Sequence, residues 1–262
     1  MNNFMPGVRN LGDVLKSQGY NLKLIQGSDI HFGGTDHYFN QHGNYEIVDY
    51  NEMKNRNYID KDYFVWWGVE DKKVLDISKK EILDLASKNE PFAVSVFTLD
   101  THFVDGYLDE SCPNVFDDQL SNVYNCSSLM MDEFINWVKN QDFYENTTVV
   151  IMGDHTLMQN EYFNNYPFYD RRVYNVFLNS YDKPFNSKNR QFTMLDMYPT
   201  ILSSIGVEIE GEKLGFGVNL FSEKKTLLEE IGYDKLNNEL LRKSKYYIDN
   251  IQHITLNDLK IN

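Results

Sequence analysis

Apolar and polar positions follow two rhythms along this chain, and they trade places often enough to predict a layered α/β fold. Residues 10–18 carry Leu11, Val14 and Leu15 at helical spacing and stop at Gly19. Residues 21–25 form a short apolar strand ending at Gln26, Gly27 and Ser28. A tyrosine-rich stretch over 29–71, containing Gly33 and Gly34, shows neither rhythm and reads as irregular. Helical period returns over 74–89 through Val74, Leu75, Ile77, Ile82, Leu83 and Leu85. After Pro91, residues 92–99 form a continuous apolar run, the pattern of a strand covered on both faces in a parallel sheet. A helix over 127–140, strands over 147–152 and 173–178, and a helix over 192–205 closed by Gly206 continue the alternation. Strands separated by helices of this length predict βαβ units, hence an α/β fold with a mostly parallel sheet flanked by helices. The pattern after Thr226 is charged and helical, which predicts an α/β domain over 1–225 and a helical tail over 226–262 packed on or beside it.

Composition narrows the function. At 262 residues, with 42% hydrophobic and 24% charged positions and six prolines, disordered, collagen-like and coiled-coil chains are excluded. A net charge of −14 opposes binding to a phosphate polymer, so no nucleic-acid partner is expected. An acidic protein that handles phosphate needs a metal or a few focused cations. No apolar run reaches the roughly 18–20 residues of a membrane-spanning helix, and residues 1–10 lack the apolar core of a signal peptide. The chain is therefore expected to carry no membrane segment and no address. Cys112 and Cys126 stand in one polar stretch with no second Cys or His at zinc-ligand spacing. On count alone, two unpaired thiols in a reducing compartment are favoured, with a disulfide as the alternative.

The candidate chemistry sits where strands end. The run over 92–99 leads into Asp100, Thr101 and His102, and the strand over 147–152 leads into Gly153, Asp154, His155 and Thr156. In parallel sheets, functional groups gather at the carboxyl edge, and two neighbouring strands would bring these clusters together. Asp154 and His155 offer a carboxylate oxygen and an imidazole nitrogen to a divalent cation, and Gly153 is expected to let the backbone turn sharply there. The competing reading makes Asp154 a helix cap and His155 a core hydrogen-bonding residue. His102 has the chemistry to donate to a phosphate or sulfate oxygen or to act as a general acid; otherwise Asp100 caps the loop and His102 lies at the surface. His37 and His42 read as solvated loop residues, while His31 is balanced between loop and ligand contact. Arg171 and Arg172 suit a phosphate contact or a structural ion pair, the latter favoured. Trp66 and Trp67 suit stacking on a sugar or buried packing, with packing favoured.

Further residues carry a resemblance. The segments Leu11-Gly12-Asp13-Val14-Leu15-Lys16, Gly19-Tyr20, Gln26-Gly27, Phe32, Gly34 and Trp67-Gly68 are followed by Leu99-Asp100-Thr101-His102 with Asp105-Gly106. Cys112, Cys126-Ser127, Asp154-His155, Asp170-Arg171, Leu214-Gly215-Phe216-Gly217 and Leu220 complete the series. In this order the chain resembles the sulfatase-like phosphoglycerol transferases, those acting on envelope glucans first and the lipoteichoic acid synthases more distantly. The resemblance implies an alkaline phosphatase/sulfatase-like fold and a divalent metal, Mn2+, held by an upstream acidic residue, a threonine nucleophile and an Asp-His pair. Asp154 and His155 match that pair, and His102 matches the histidine that contacts the phosphoglycerol group. His31 and Arg171 fall where further substrate contacts are expected.

The same resemblance implies transfer from a phosphoglycerol donor to an envelope glycan or lipid, through a phosphoglyceryl-threonine. It implies an extracytoplasmic location, where Cys112 and Cys126 are expected to pair. In the family the threonine and the acidic ligand precede the Leu11–Lys16 segment, so the first strands and the nucleophile are expected to be missing from this chain. Thr35 and Thr101 are not read as substitutes. The chain is thus expected to be an incomplete or inactive portion by itself, with an N-terminal partner polypeptide as one source of the rest. The alternatives are a non-catalytic glycan- or phosphoglycerol-binding module and, third, a sulfate or phosphate ester hydrolase.

Overall fold

The structure is a computed structural model, and it describes residues 4–158, 161–165 and 171–252. Helix α1 (Leu11–Ser17) opens on Asn10, whose side chain accepts from the Asp13 N–H while the Asp13 carboxylate accepts from the Asn10 N–H. That reciprocal pair satisfies two of the donors every helix start leaves open. Strand β1 (Asn21–Gln26) follows, then α2 (Thr35–Gln41), β2 (Glu46–Val48) and α3 (Tyr50–Asn55). The stretch expected to be irregular therefore holds two helices and a strand. Each is too short to show a period, and caps stand in for pattern: Asp49 accepts from the Glu52 N–H to start α3 and from the Ile30 N–H to hold the preceding loop. Helix α4 (Asp71–Ser87) and strand β3 (Phe92–Phe97) match the expected positions closely.

Helix α5 (Gln119–Lys139) starts well before residue 127, because its first turns are polar and Asn122 is buried there. The Asn122 side chain accepts from the Val115 and Phe116 N–H groups, so a residue that reads as loop is the core of the loop's attachment. Strands β4 (Val149–Met152) and β5 (Asn175–Leu178), helix α6 (Met197–Ser204), the small strands β6 (Lys213–Leu214) and β7 (Gly217–Val218), and helices α7 (Leu227–Ile231) and α8 (Tyr233–Leu240) complete the order.

The central sheet runs β2-β1-β3, all parallel, with Lys23 opposite both Glu46 and Val94. Strands β4 and β5 form a separate antiparallel pair, with Val150 opposite Phe177. Two expectations are corrected here. The strands bearing Asp100 and Asp154 are not hydrogen-bonded neighbours, and the strand near residues 173–178 runs antiparallel to β4. Apolar period reveals that a strand exists, not which strand lies beside it or in which direction.

Alternation along β1 sorts the layers. Leu22 and Leu24 pack with Leu15, Ile30, Phe39 and Tyr45 on the α1/α2 side, while Ile25 packs with Val48, Met53, Val74 and Ile77 on the α3/α4 side. Lys23 shares that second face. Its side chain is 1% exposed and its ammonium pairs with Glu81 of α4, with the Glu46 carboxylate 3.3 Å away. Glu81 also accepts from Tyr58 (2.6 Å) and Arg56 (3.0 Å). Burial works to raise the Glu81 carboxyl, but the bonds from Lys23 and Tyr58 outweigh it and hold the group below the usual carboxylate range.

Toward the C-terminus, Arg190 donates to the Leu220, Ser222 and Lys224 carbonyls and to the Glu229 carboxylate, tying the chain before α7 to α7 itself. Residues 253–262 of the expected tail lie outside the described residues.

Candidate functional site

The loop after β3 is built around two buried carboxyl groups. Asp71, in the first turn of α4, accepts from the N–H groups of Leu99 (2.6 Å) and Asp100 (3.0 Å), and Asp100 accepts in return from the Asp71 N–H (3.1 Å). Asp100 is 1% exposed, and its Oδ1 has no hydrogen-bond partner among the described residues. Desolvation pushes both carboxyl groups up, and the charge on Asp71 pushes Asp100 further, to about 8. A neutral Asp100 at pH 7 removes the like-charge conflict, and the clasp then fixes where β3 ends and α4 begins. The sequence offered Asp100 as a loop cap; it caps α4 instead, in partnership with a residue that drew no attention.

Beyond this clasp the loop is held three more times. Gly106 has φ +67°, and a Cβ there would stand 2.6 Å from the Asp100 carbonyl oxygen, so glycine alone fits. Gln119, at the start of α5, donates to the Gly106 carbonyl (3.0 Å). Cys112 and Cys126 are joined in a disulfide, with Cα atoms 5.4 Å apart, so the loop is bonded covalently to α5. A bridge over 14 positions contributes about 3 kcal/mol by loop-closure entropy. The Cys112→Ser/Cys126→Ser double variant is expected to unfold at lower denaturant by that amount. Thiol titration of the denatured, unreduced protein checks the bridge, and two reactive thiols would contradict it.

His102 leaves this loop with its Nδ1 donating to the Phe103 carbonyl (2.9 Å), which makes Nε2 the nitrogen available to a ligand. Its ring meets Trp67 edge-on at 4.7 Å, and Trp67 meets the exposed Phe32 at 5.3 Å. His31 precedes Phe32 and binds Asp29 through Nδ1 (2.7 Å); that hydrogen bond raises the His31 imidazole above its ordinary value. His31 and His102 are thus linked through two aromatic rings at the carboxyl edge of β1 and β3. Trp67 supports His102, a role its sequence did not show. His42, expected in solvent, is buried: it bonds Asp13 (2.9 Å) and the Phe4 carbonyl (2.8 Å). His37 is exposed near Asp36.

Asp154 and His155 follow β4 and are open to solvent, their side chains 86% and 64% exposed. Gly153 has no positive φ, and its N–H donates to the Tyr174 carbonyl, extending the β4–β5 pairing. The close Val173 side chain is the contact that favours a small residue there. His155 Nδ1 donates to the Thr156 carbonyl (3.0 Å), which turns Nε2 toward Asp154 Oδ2 at 3.3 Å. Two ligands of one tetrahedral cation with bonds of about 2.1 Å lie at nearly this separation. The pair fits as part of a metal site. Among the described residues no third His, Cys, Asp or Glu joins it.

Arg171 lies with its guanidinium 4.2 Å from the Phe163 ring, and neighbouring Tyr162 reaches Ser121 of α5 (3.3 Å). Both the His102 loop and the segment after His155 are therefore attached to the first turns of α5. Asp170 lies outside the described residues.

A three-stranded parallel sheet flanked by helices, with His102 beyond one of its strands and Asp154 and His155 beyond a strand of the separate antiparallel pair, makes this an α/β fold. Two solved structures share the fold. A protein in the alkaline phosphatase superfamily from Vibrio parahaemolyticus superposes with a TM-score of 0.63 at 22% identity, over 80% of this chain and 53% of that one. The lipoteichoic acid synthase LtaP from Listeria monocytogenes superposes with a TM-score of 0.59 at 17% identity, over 84% and 60%. Residues 2–207 match the family described as Sulfatase, and the chain belongs to that family. Among curated relatives, phosphoglycerol transferase I of Xanthomonas campestris pv. campestris is 30% identical over 225 residues, 84% of this chain. The enzyme of that name from Citrobacter koseri is 32% identical over 166 residues, 61% of this chain. The chain spans 32% and 22% of those two proteins.

Proposed function

We propose that this chain is the portion of a metal-dependent phosphoglycerol transferase that contributes half of the metal shell and the contacts to the phosphoglycerol group. The observation that supports this most is the similarity to phosphoglycerol transferase I over 84% of the chain, with His102 and the Asp154–His155 pair each placed just past a strand. Asp154 oxygen and His155 Nε2 are the two ligands, and Mn2+ accepts both donor types. When bound, the metal supplies Lewis-acid stabilisation of the phosphoryl oxygens.

His102 has a defined task. Its Nδ1–H is engaged with the Phe103 carbonyl, so donation from Nε2 to a phosphoryl oxygen requires the doubly protonated ring. An anionic ligand favours that form. His31, already raised by Asp29, and Arg171 add positive charge for the same group. The threonine nucleophile and the remaining ligands come from polypeptide outside this chain, and the acceptor is an envelope glycan or lipid outside the cytoplasmic membrane.

Isothermal titration tests the assignment. Mn2+ binding is expected in the isolated chain and to weaken by at least about tenfold in His155→Ala and Asp154→Asn. Glycerol phosphate binding is expected to strengthen with Mn2+ and to weaken in His102→Ala, while the isolated chain shows little or no turnover of a phosphoglycerol donor. Glycerol phosphate binding indifferent to both Mn2+ and Asp154→Ala would point instead to a non-catalytic phosphoglycerol- or glycan-binding module. Robust Mn2+-dependent turnover would refute the incomplete-site reading.

A further inference from the structure

Trp67 stands in a tight turn that the sequence builds against local preference. Val65 and Gly68 exchange backbone hydrogen bonds (2.8 and 2.9 Å), which leaves Trp66 and Trp67 as the two central turn residues. Trp66 has φ +56°, a left-handed conformation that such turns ordinarily give to glycine or asparagine and that strains a bulky side chain. The turn is seated on the chain leaving β1: the Val69 N–H donates to the Gly27 carbonyl (2.9 Å), and a Cβ on Gly68 would stand 2.2 Å from that oxygen. Backbone held this firmly presents Trp67 as a fixed surface, in contact with both His102 and Phe32.

Phe32 is 65% exposed. A lone exposed ring is ordinary, but this one leans on Trp67 at an interplanar angle of 67°, so the two rings form a corner. Next to it, a Cβ built on Gly33 would meet nothing within 4 Å, so the chain beside the ring is open to a ligand. The rim of the corner is polar. Asp29 has a half-exposed side chain; its Oδ1 accepts from the His31 N–H and Nδ1, and its Oδ2 from Asn51 Nδ2 (3.1 Å). A carboxylate offers about four acceptor positions, so Asp29 has room for another donor. An aromatic surface bordered by such groups suits a ligand with a C–H face and a hydroxyl rim. Asp29 and Asp36, both beside His31 in a chain of net charge −14, select against a further anion here. A bilayer laid on the rings would bury the Asp29 charge, which is costly.

We propose that Phe32 and Trp67 form a subsite for the pyranose ring of a neutral sugar. The C–H face of the sugar lies on Phe32, and its hydroxyls reach Asp29 and Asn51. Taken with the transfer function proposed above, on which this placement rests, the sugar is the acceptor and sits beside the phosphoryl group held at His102. Phe32 is then a residue that selects a glycan over a lipid acceptor. Trp67, touching both Phe32 and His102, keeps the two subsites in register.

The subsite is tested by calorimetric titration of the purified chain with cellobiose, in the absence of Mn2+ and glycerol phosphate. Saturable binding with a Kd of about 1–10 mM is expected, and mannitol, which carries hydroxyls but no ring face, should bind at least about tenfold more weakly. Phe32→Leu keeps an apolar side chain and loses the flat ring. It is expected to weaken cellobiose binding at least about tenfold, while Phe32→Tyr stays within about threefold of the parent. Slow amide exchange in β1 and α4 shows in each variant that the fold is intact. The proposal is overturned by an absence of saturable cellobiose binding, by equal binding of mannitol, or by a Phe32→Leu variant that binds like the parent. Phe32-dependent cosedimentation with neutral phosphatidylcholine vesicles would also overturn it, since the rings would then be a lipid contact. Mn2+ titration of the same samples reads the transfer assignment separately. Mn2+ bound without cellobiose sinks the sugar subsite alone; cellobiose bound without Mn2+ keeps the subsite and withdraws the metal-dependent reading.

Discussion

Replacing Glu81 with alanine is expected to lower the stability of this protein by about 3–5 kcal/mol, the usual cost of breaking a buried ion pair from one side. Lys23 is sealed beneath α4, and without Glu81 its ammonium keeps only the half-exposed Glu46. Arg56 and Tyr58 lose an acceptor at the same time, although Arg56 retains Glu46 and Glu52. A domain of this size loses roughly 2–4 °C of melting temperature per kcal/mol, so the loss is large in a thermal scan. Chemical denaturation should show a lower midpoint with an unchanged slope. The companion variant Lys23→Met/Glu81→Met should recover much of the loss, because it removes both charges and fills the space with apolar atoms. An alanine variant within 1 kcal/mol of the parent, on the scale of exposed pairs, would show that the pair is not buried in solution.

The second large effect is on pH. Burial holds the Asp71 and Asp100 carboxyls of the folded chain above the 3.8 of a free aspartate, and the charge on Asp71 raises Asp100 further. Because the folded state holds these protons more tightly, their contribution is complete below about pH 4 and is lost as pH rises toward 8. The groups facing Asp100 reinforce the trend, since Glu70 and Asp109 add negative charge beside it. Glu81, Glu52 and Glu229, held low by their cationic partners, act in the opposite sense, and their contribution disappears only as the solution becomes acidic. Stability is therefore expected to decline from pH 5 to 8 by roughly a few kcal/mol. Asp100→Asn imitates the protonated acid and keeps an acceptor for the Asp71 N–H. It should flatten the decline and be more stable than the parent at pH 8. Denaturation midpoints of both proteins at pH 5, 6.5 and 8 provide the check, and parallel profiles would remove the clasp from the account.

The parts of this fold legible in the sequence are those whose pattern is long or chemically marked. Helix α4 shows its period through Val74, Ile77, Ile82 and Leu85, and α1 shows its own through Leu11, Val14 and Leu15, stopping at Gly19. The strand ends carrying His102 and Asp154 were visible because imidazole and carboxylate follow apolar runs. What could not be read is long-range or short. Asp71 and Asp100 are 29 positions apart, and nothing in either neighbourhood says that they meet. Helix α5 hides its first turns because Asn122 is buried for hydrogen bonding, not for hydrophobicity. Trp67 gave no sign that it would steady His102, and His42 none that Asp13 would bury it, because both contacts are made across the fold. Strand order escaped for the same reason: the segments of β3 and β4 specify burial, and burial alone does not choose a neighbour.

Lys23 also bears on how the sheet avoids misassembly. Successive side chains of a strand point to opposite faces, so sliding β1 by a single position would swing the ammonium among Leu15, Phe39 and Tyr45 and set Leu22 or Leu24 against the Glu81 carboxylate. Either charge would then sit in oil without a counter-ion, a penalty much steeper than that of exchanging one aliphatic side chain for another. Aliphatic strands slip because their alternatives are nearly as good; here one cation gives the sheet a single permitted alignment, checked as β1 and α4 close on each other.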